Sequence, residues 1–177
     1  MKTQFLAACF TFTVLLLGMN SVQAQESVTT MVNIMLEDVI SIHEESAARD
    51  GEVNFIYITA DDYHTTKTIT VPNSLVVTSA TDFDIKVKAG GDNFVNGNDN
   101  IPVDVLTLKA NGGTMKGNKK DIKLKAKDQK LVNNAPKGSK LTLDLDYEIH
   151  KKKASKDILG MPNGTYTQTV TYTATAN

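Results

Sequence analysis

Apolar and polar residues alternate with a period of two along much of this chain. The alternation is cleanest in residues 141–149, where leucine, tyrosine and isoleucine occupy every odd position and polar residues every even one. It returns in residues 165–175, where threonine occupies every odd position. Successive side chains of a strand point to opposite faces, so each segment is predicted to be a strand with one solvent-exposed face.

The same period predicts strands in other parts of the chain. They fall at residues 28–36, 53–59, 67–71, 75–78, 83–88 and 101–109, with weaker candidates at 121–126 and 129–132. Pro72 is predicted to end the strand at 67–71, because proline cannot donate to a ladder. The helical candidates are short and lie at residues 42–49 and 155–159.

Turn-forming residues separate these runs and indicate the fold class. Turns rich in glycine, asparagine or proline occur at residues 90–93, 96–100, 111–113, 133–136 and 162–164. About eight to ten short strands joined by such turns predict an all-β protein, an antiparallel β-sandwich of immunoglobulin-like or Greek-key type. A β-barrel is the alternative.

The N-terminus has the features of a secretory signal peptide. A lysine near the start precedes an almost unbroken apolar run at residues 5–17, and small residues precede a cleavage point after residue 24. The apolar run is too short to cross a bilayer as a helix. We therefore expect residues 1–24 to be removed, together with Cys9, the single cysteine. Residues 25–177 are then expected to form one exported domain without a further transmembrane segment.

Charge is distributed unevenly along the chain. Residues 25–108 carry four cationic and 14 acidic residues, whereas residues 109–156 carry 14 lysines and five acidic residues. Such asymmetry can attract a polyanion or let copies meet head to tail, and it also suits solvated strand faces. The candidate contacts to an anionic surface polymer are Lys119, Lys120, Lys123, Lys151, Lys152 and Lys153.

The sequence offers little chemistry for catalysis. His43, His64 and His150 are too scattered for a zinc site, and no nucleophile elbow or phosphate-binding loop occurs. The loop at residues 92–100 is rich in oxygen ligands, but Phe94 occupies a position where a regular calcium loop needs a ligand. A plain turn is the preferred interpretation there, with calcium binding left open. We therefore predict no enzymatic activity, no catalytic residues, no metal site and no cofactor.

Both ends of the chain resemble strands of exported assembly proteins. Residues 160–175, with a proline/glycine turn, a Gly-Thr-Tyr step and alternating threonines, are similar to the closing strand of fimbrial subunits and spore coat U-like proteins. Residues 28–36 are similar to the opening strand of such proteins. The resemblance implies assembly by strand donation, in which the groove-filling residues are Val28, Val32, Ile34 and Leu36. The alternative is that residues 28–36 form the first strand of their own domain.

Together these features predict an exported, non-enzymatic structural or interaction protein of the bacterial cell envelope, with the resemblance adding a role as a pilus-like subunit. Its partners would be copies of itself, other envelope proteins or anionic polymers, in the periplasm, at the cell surface or outside the cell. Nucleic acid is a poor candidate for an exported chain. The alternative function is a module that binds cell-wall or other polysaccharide, although the chain lacks the tryptophan on which sugar rings often stack.

Overall fold

The computed structural model describes residues 28–177, which are mostly antiparallel β-sheet, as the alternating pattern predicts. The strands are β1 (Ile40–Ile42), β2 (Lys67–Ser79), β3 (Phe83–Ala89), β4 (Asn93–Asn96), β5 (Asp99–Pro102), β6 (Leu106–Ala110), β7 (Asn118–Lys119), β8 (Ile122–Lys123), β9 (Gln129–Ala135), β10 (Gly138–Ile149) and β11 (Val170–Ala176). The predicted number of eight to ten short strands is too low for these residues. β2 and β10 are also long, at 13 and 12 residues.

The strands form two larger sheets and one hairpin. The five-stranded sheet has the order β1-β2-β10-β6-β8, and the four-stranded sheet has the order β11-β3-β9-β7. β4 and β5 pair with each other as a hairpin, and Val95 of β4 also forms an isolated antiparallel bridge with Thr167. The predicted single strand at 101–109 is wrong, because a 3₁₀ turn at Val103–Val105 separates β5 from β6.

Within residues 28–177, helical structure is confined to short elements. These are a helix at Ala60–His64, the 3₁₀ turn, a helical turn at Lys151–Lys153 and a π-helical turn at Ala154–Ile158. The helix predicted at residues 155–159 therefore overlaps the π-helical turn. The helix predicted at residues 42–49 is wrong, since this segment forms turns after β1.

Both larger sheets contribute side chains to one hydrophobic core. Phe83, Ile85 and Val87 of β3 belong to it, as do Leu143 and Leu145 of β10, and all five are fully buried. The faces of β3 and β10 that the period of two predicts to be apolar are therefore the faces that lie in the core. Burying each such side chain stabilises the fold by roughly 1.5–3 kcal/mol relative to leaving it in water.

β2 continues through Pro72 because a bulge accommodates the proline. Residues 72–74 of β2 lie opposite the single residue Asp144 of β10, where the register shifts. Asn73 has a left-handed φ of 48°, and its N–H donates to Asp144 Oδ1 at 2.7 Å. The missing N–H of proline falls within this irregularity and interrupts no regular ladder. The prediction that Pro72 ends the strand is therefore wrong.

Two segments that were predicted as strands are not strands in the structure. Residues 28–36 lie outside the compact unit Glu37–Asn177 and contain no strand. Residues 53–59 lie in the compact unit, also outside any strand. The predicted signal peptide, residues 1–24, lies outside the described residues. From residue 28 onward, no helix is long and apolar enough to cross a membrane.

Candidate functional site

β11 is an edge strand with one face toward the protein interior. It pairs along all seven residues with β3, and no other strand of the described chain pairs with its second edge. Val170, Tyr172 and Ala174 are half-buried, whereas the threonines between them are exposed, which confirms the predicted solvated threonine face. The N–H and C=O groups along an unpaired edge can form a ladder with an added strand.

A cleft of about 780 Å³ is lined by this strand and by residues of the other two sheets. Val71, Tyr147 and Ile149 contribute from the five-stranded sheet, and Phe94 and Ile101 contribute from the β4–β5 hairpin. All five tyrosines of the chain line the cleft. The sequence did not predict that the five tyrosines lie together, because they are far apart in the chain. The signal that was available is that Tyr147 and Tyr172 both occupy inward-facing positions of alternating strands.

An extended segment, residues 51–59, forms part of the cleft wall. Val53, Phe55 and Tyr57 are half-buried and line the cleft, whereas Ile56 and Ile58 are 62% and 82% exposed. Residues 51–57 make no backbone–backbone hydrogen bond within the described chain. The segment is thus held by the packing of one face and not by a ladder.

A charged anchor fixes the C-terminal end of this segment. Asp62 Oδ2 accepts from the backbone N–H of Ile58 at 2.8 Å and of Thr59 at 2.7 Å. Lys67 Nζ donates to Asp62 Oδ1 at 2.7 Å. The hydrogen bond from Lys67, followed by those from the two backbone N–H groups, holds the pKa of Asp62 well below its ordinary value. The anchor therefore keeps its charge at neutral pH.

Tyrosine hydroxyl groups supply polar atoms inside the cleft. The Tyr147 and Tyr172 hydroxyls are 2.8 Å apart and share one hydrogen bond between β10 and β11. Burial raises the pKa of both side chains, and Tyr147 adds to the shift at Tyr172. The buried Tyr57 hydroxyl has no hydrogen-bond partner among the described residues, and burial raises its pKa to about 12. These groups stay neutral and can donate or accept, but they supply no nucleophile at neutral pH.

The Tyr57 ring lies close to two further side chains. Its centroid is 5.1 Å from that of Tyr63, with the ring planes tilted by 36°. Lys67 Nζ is 5.1 Å from the Tyr57 ring centroid, within the range of a cation–π contact. One wall of the cleft is therefore an aromatic pair with a cation at its edge.

The predicted strand-donation residues are all exposed. Val28, Val32, Ile34 and Leu36 are 80–89% exposed, and the 28–36 segment holds no secondary structure. Met31 and Met35, on the opposite parity, are equally exposed. Within the described residues, the segment therefore presents a row of exposed apolar side chains.

The six lysines predicted to contact a polyanion occupy different settings. Lys119 is half-buried in β7, and its Nζ donates to the Gly112 carbonyl at 3.0 Å. Burial, with repulsion from Lys116, lowers its pKa. Lys120 and Lys123 are exposed near and in β8, away in sequence from the turn that holds the other three.

The remaining lysines lie in the helical turn after β10. Lys153 Nζ pairs with Asp104 at 2.9 Å and with Asp157 at 3.1 Å, and the Asp104 contact raises its pKa. Lys151 and Lys152 are exposed and line a hollow with His64. Lys153 is therefore engaged by carboxylates, whereas its two neighbours face solvent.

The residues considered for catalysis and metal binding stay apart. His43 Nε2 lies 2.6 Å from Thr78 Oγ1, and His150 Nδ1 accepts from the Lys152 N–H at 3.2 Å. The loop at 92–100 forms the β4–β5 hairpin, with Gly97 at a left-handed φ of 60°. In residues 28–177, no three histidine, cysteine or acidic side chains converge as a metal site. No protein-family model matches this chain, and no curated protein matches it.

Proposed function

We propose that this protein is an exported, non-enzymatic subunit of a cell-surface assembly. The 28–36 segment of one copy adds as a strand to the β11 edge of another, and Val28, Val32, Ile34 and Leu36 enter its cleft. One observation supports this most: the chain combines an unpaired edge beside an apolar cleft with an exposed alternating segment. In this interpretation the two larger sheets form an antiparallel β-sandwich with one strand position open.

The lengths of the donor and the acceptor fit. Residues 28–36, fully extended at about 3.3 Å per residue, span about 30 Å. The seven residues of β11 span about 23 Å on the same basis. The segment can therefore pair along the whole free edge, with alternate side chains directed to one side.

The energetics require both the side chains and the ladder. Four apolar side chains that become fully buried contribute roughly 6–12 kcal/mol, at about 1.5–3 kcal/mol each. Association costs about 4–15 kcal/mol in lost freedom, which is of similar size. Ladder hydrogen bonds add about 0.5–1.5 kcal/mol each. Removing two of the four apolar side chains should therefore be enough to prevent assembly.

The test compares two double variants of the mature chain with equal charge. Val32→Asp with Ile34→Asp places charges on the proposed inward face, and Thr29→Asp with Asn33→Asp places them on the outward face. We expect the inward pair to abolish oligomers in size-exclusion chromatography and fibres in electron microscopy, and the outward pair to retain both. Equal behaviour of the two variants, or a strictly monomeric wild type, would refute strand addition.

A peptide of residues 28–36 provides a second measurement. Added to the inward variant, whose own segment is disabled, it should slow hydrogen exchange of the outward-facing β11 amides. A peptide of the same composition in scrambled order should not. Protection that appears elsewhere and not at β11 would contradict the proposed acceptor edge.

Polysaccharide binding is a second candidate function, and the cleft supplies an observation in its favour. Aromatic faces stack on sugar rings, and hydroxyl groups orient them. The cleft contains every tyrosine of the chain, including the tilted Tyr57–Tyr63 pair and the unpartnered Tyr57 hydroxyl. The test is titration with neutral cell-wall oligosaccharides. Binding that Tyr63→Ala abolishes, and that the inward double variant leaves intact, would favour this function over strand addition.

A further inference from the structure

A shallow basic hollow lies at the corner formed by the Ala60–His64 helix and the helical turn after β10. Its lining residues are His64, Lys151, Lys152, Ser155 and Lys156, around a volume of about 560 Å³. Residues of the aromatic cleft and of the β11 edge do not line it. We call these five residues the basic hollow.

Hydrogen bonds fix the backbone that carries the basic hollow. The Lys151 N–H donates to Thr66 Oγ1 at 3.1 Å. Ser155 Oγ lies 2.7 Å from the Tyr63 carbonyl and 2.9 Å from the Lys151 carbonyl, and it donates to one of them at a time. The two helical elements are thereby tied together, so the lysines project from a defined framework and not from a mobile tail.

The positive charge of the basic hollow is not neutralised by the protein. Within residues 28–177, Lys151, Lys152 and Lys156 form no ion pair with a carboxylate. Asp104 and Asp157, which lie beside this turn, are both engaged by Lys153. Three ammonium groups therefore share one concave surface, which concentrates anions there.

The chemistry of the lining indicates the class of ligand. Lysine acts as a point charge, and the hollow lacks the planar arginine fork that selects a single phosphate or carboxylate by shape. Its lining contains no phenylalanine, tyrosine or tryptophan, and the imidazole of His64 is its single ring, so it offers little stacking platform for successive nucleic-acid bases. We infer that the basic hollow binds the anionic groups of a polysaccharide through Lys151, Lys152 and Lys156.

This site is independent of the strand-addition proposal, because it shares no residue with the β11 edge or the 28–36 segment. It also narrows the six predicted lysines to two, Lys151 and Lys152. Lys156 is added by its place in the lining. Lys119, Lys120, Lys123 and Lys153 do not line the basic hollow, and Lys119 and Lys153 each already have a partner within the protein.

The experiment uses the mature chain and two triple variants that remove the same charge. The hollow variant is Lys151→Gln, Lys152→Gln and Lys156→Gln, and the matched control is Lys119→Gln, Lys120→Gln and Lys123→Gln. The probes are a carboxylated alginate oligosaccharide, a sulfated heparin oligosaccharide and neutral dextran, measured by calorimetry at several salt concentrations. Thermal unfolding of each variant verifies that it folds.

We expect the hollow variant to bind both anionic probes at least about tenfold more weakly, and the control less than about twofold more weakly. The slope of affinity against salt should fall by about two for the hollow variant, at about 0.7 per cation lost. Arginine at the same three positions should restore binding, since the charge returns. Neutral dextran should not bind.

Three outcomes would overturn the assignment. The first is equal weakening by the two triple variants, which would make the binding a response to net charge alone. The second is an absence of binding by the wild type even at low salt. The third is tighter binding of a single-stranded DNA oligonucleotide of equal charge with the same dependence on the hollow lysines, which would replace the polysaccharide with nucleic acid.

Discussion

Residues 28–36 and residues 51–59 share an alternating pattern of apolar residues but have very different surroundings. Both alternate apolar with other residues, and neither belongs to a strand. In the first, every apolar side chain is at least 80% exposed. In the second, Val53, Phe55 and Tyr57 pack into the cleft wall while the backbone stays unpaired. A segment can therefore bury one face of side chains without pairing its backbone in a sheet. Residues 51–59 show this burial and no pairing.

The difference assigns the two segments distinct roles. Residues 51–59 stabilise the folded unit through one apolar face, so their substitution should lower stability. Residues 28–36 bury nothing of that kind, so their substitution should alter assembly and leave the folded unit unchanged.

The largest expected effect is in hydrogen exchange. Amides of residues 52–57 should exchange nearly as fast as those of residues 28–36, because neither group is in a backbone hydrogen bond. Amides of residues 145–149 of β10, which are paired with β2 on one side and β6 on the other, should exchange at least about 1,000-fold more slowly. The amides of Ile58 and Thr59, which donate to Asp62, provide an internal control of intermediate rate. Strong protection at residues 52–57 would show that the segment is in a ladder after all.

Truncating one side chain in each segment should separate their contributions to stability. Phe55→Ala is expected to lower the free energy of unfolding by about 2 kcal/mol, about half the cost of truncating a fully buried phenylalanine. Ile34→Ala should change it by less than about 0.5 kcal/mol, as at other exposed sites. Denaturant titration of both variants at low protein concentration measures this. A similar loss for the two variants would contradict the contrast.

The sequence pattern predicted the structure well for strands that have a neighbouring strand on each side in the sheet. In residues 141–149 of β10, which lies between β2 and β6, the odd positions are buried or half-buried as the alternation requires, and the even positions are half-buried where a solvent-exposed face was predicted. The same pattern failed at residues 28–36 and 53–59. A period of two shows which side chains share a face. A strand also needs the free edge of another strand with which to form backbone hydrogen bonds, and whether such an edge lies alongside depends on the rest of the fold.

The candidate site was less predictable than the fold. The sequence indicated an apolar segment suited to strand addition, and the lysine-rich half of the chain. It did not indicate the cleft, because Tyr57, Tyr147 and Tyr172 come together only through the arrangement of two sheets and a segment outside any strand. It also did not distinguish Lys153 from Lys151, because the carboxylates that engage Lys153 include Asp104, far away in the sequence.

A smaller effect is expected at the hydroxyl pair in the cleft. Tyr172→Phe removes one partner of the Tyr147 hydroxyl and should cost about 1 kcal/mol of unfolding free energy. The double variant with Tyr147→Phe should lose less unfolding free energy than the sum of the two single variants, because both single changes remove the same hydrogen bond. Tyr166→Phe is the control. The Tyr166 hydroxyl donates to the exposed carbonyl of Pro162, so its removal should leave the unfolding free energy nearly unchanged. Additive costs would show that the two hydroxyls act independently.

The smallest expected effect concerns the anchor of residues 51–59 and appears in the pH dependence of stability. The pKa of Asp62 in the folded protein is held below the ordinary value of 3.8, chiefly by Lys67. The folded state therefore gains stability from this carboxylate above pH 3.8, and the gain is lost as the pH falls from there toward the folded pKa.

Asp62→Asn should consequently lower the unfolding midpoint at neutral pH, and the difference from wild type should shrink as the solution is acidified. Asp61→Asn removes the same charge from the adjacent position and should follow the wild type at every pH. In the Asp62 variant, the amides of Ile58 and Thr59 should also exchange faster, approaching the rates of residues 52–57. A gap from wild type that is independent of pH would mean that the carboxylate charge does not hold this segment, and that packing of Phe55 and its neighbours holds it alone.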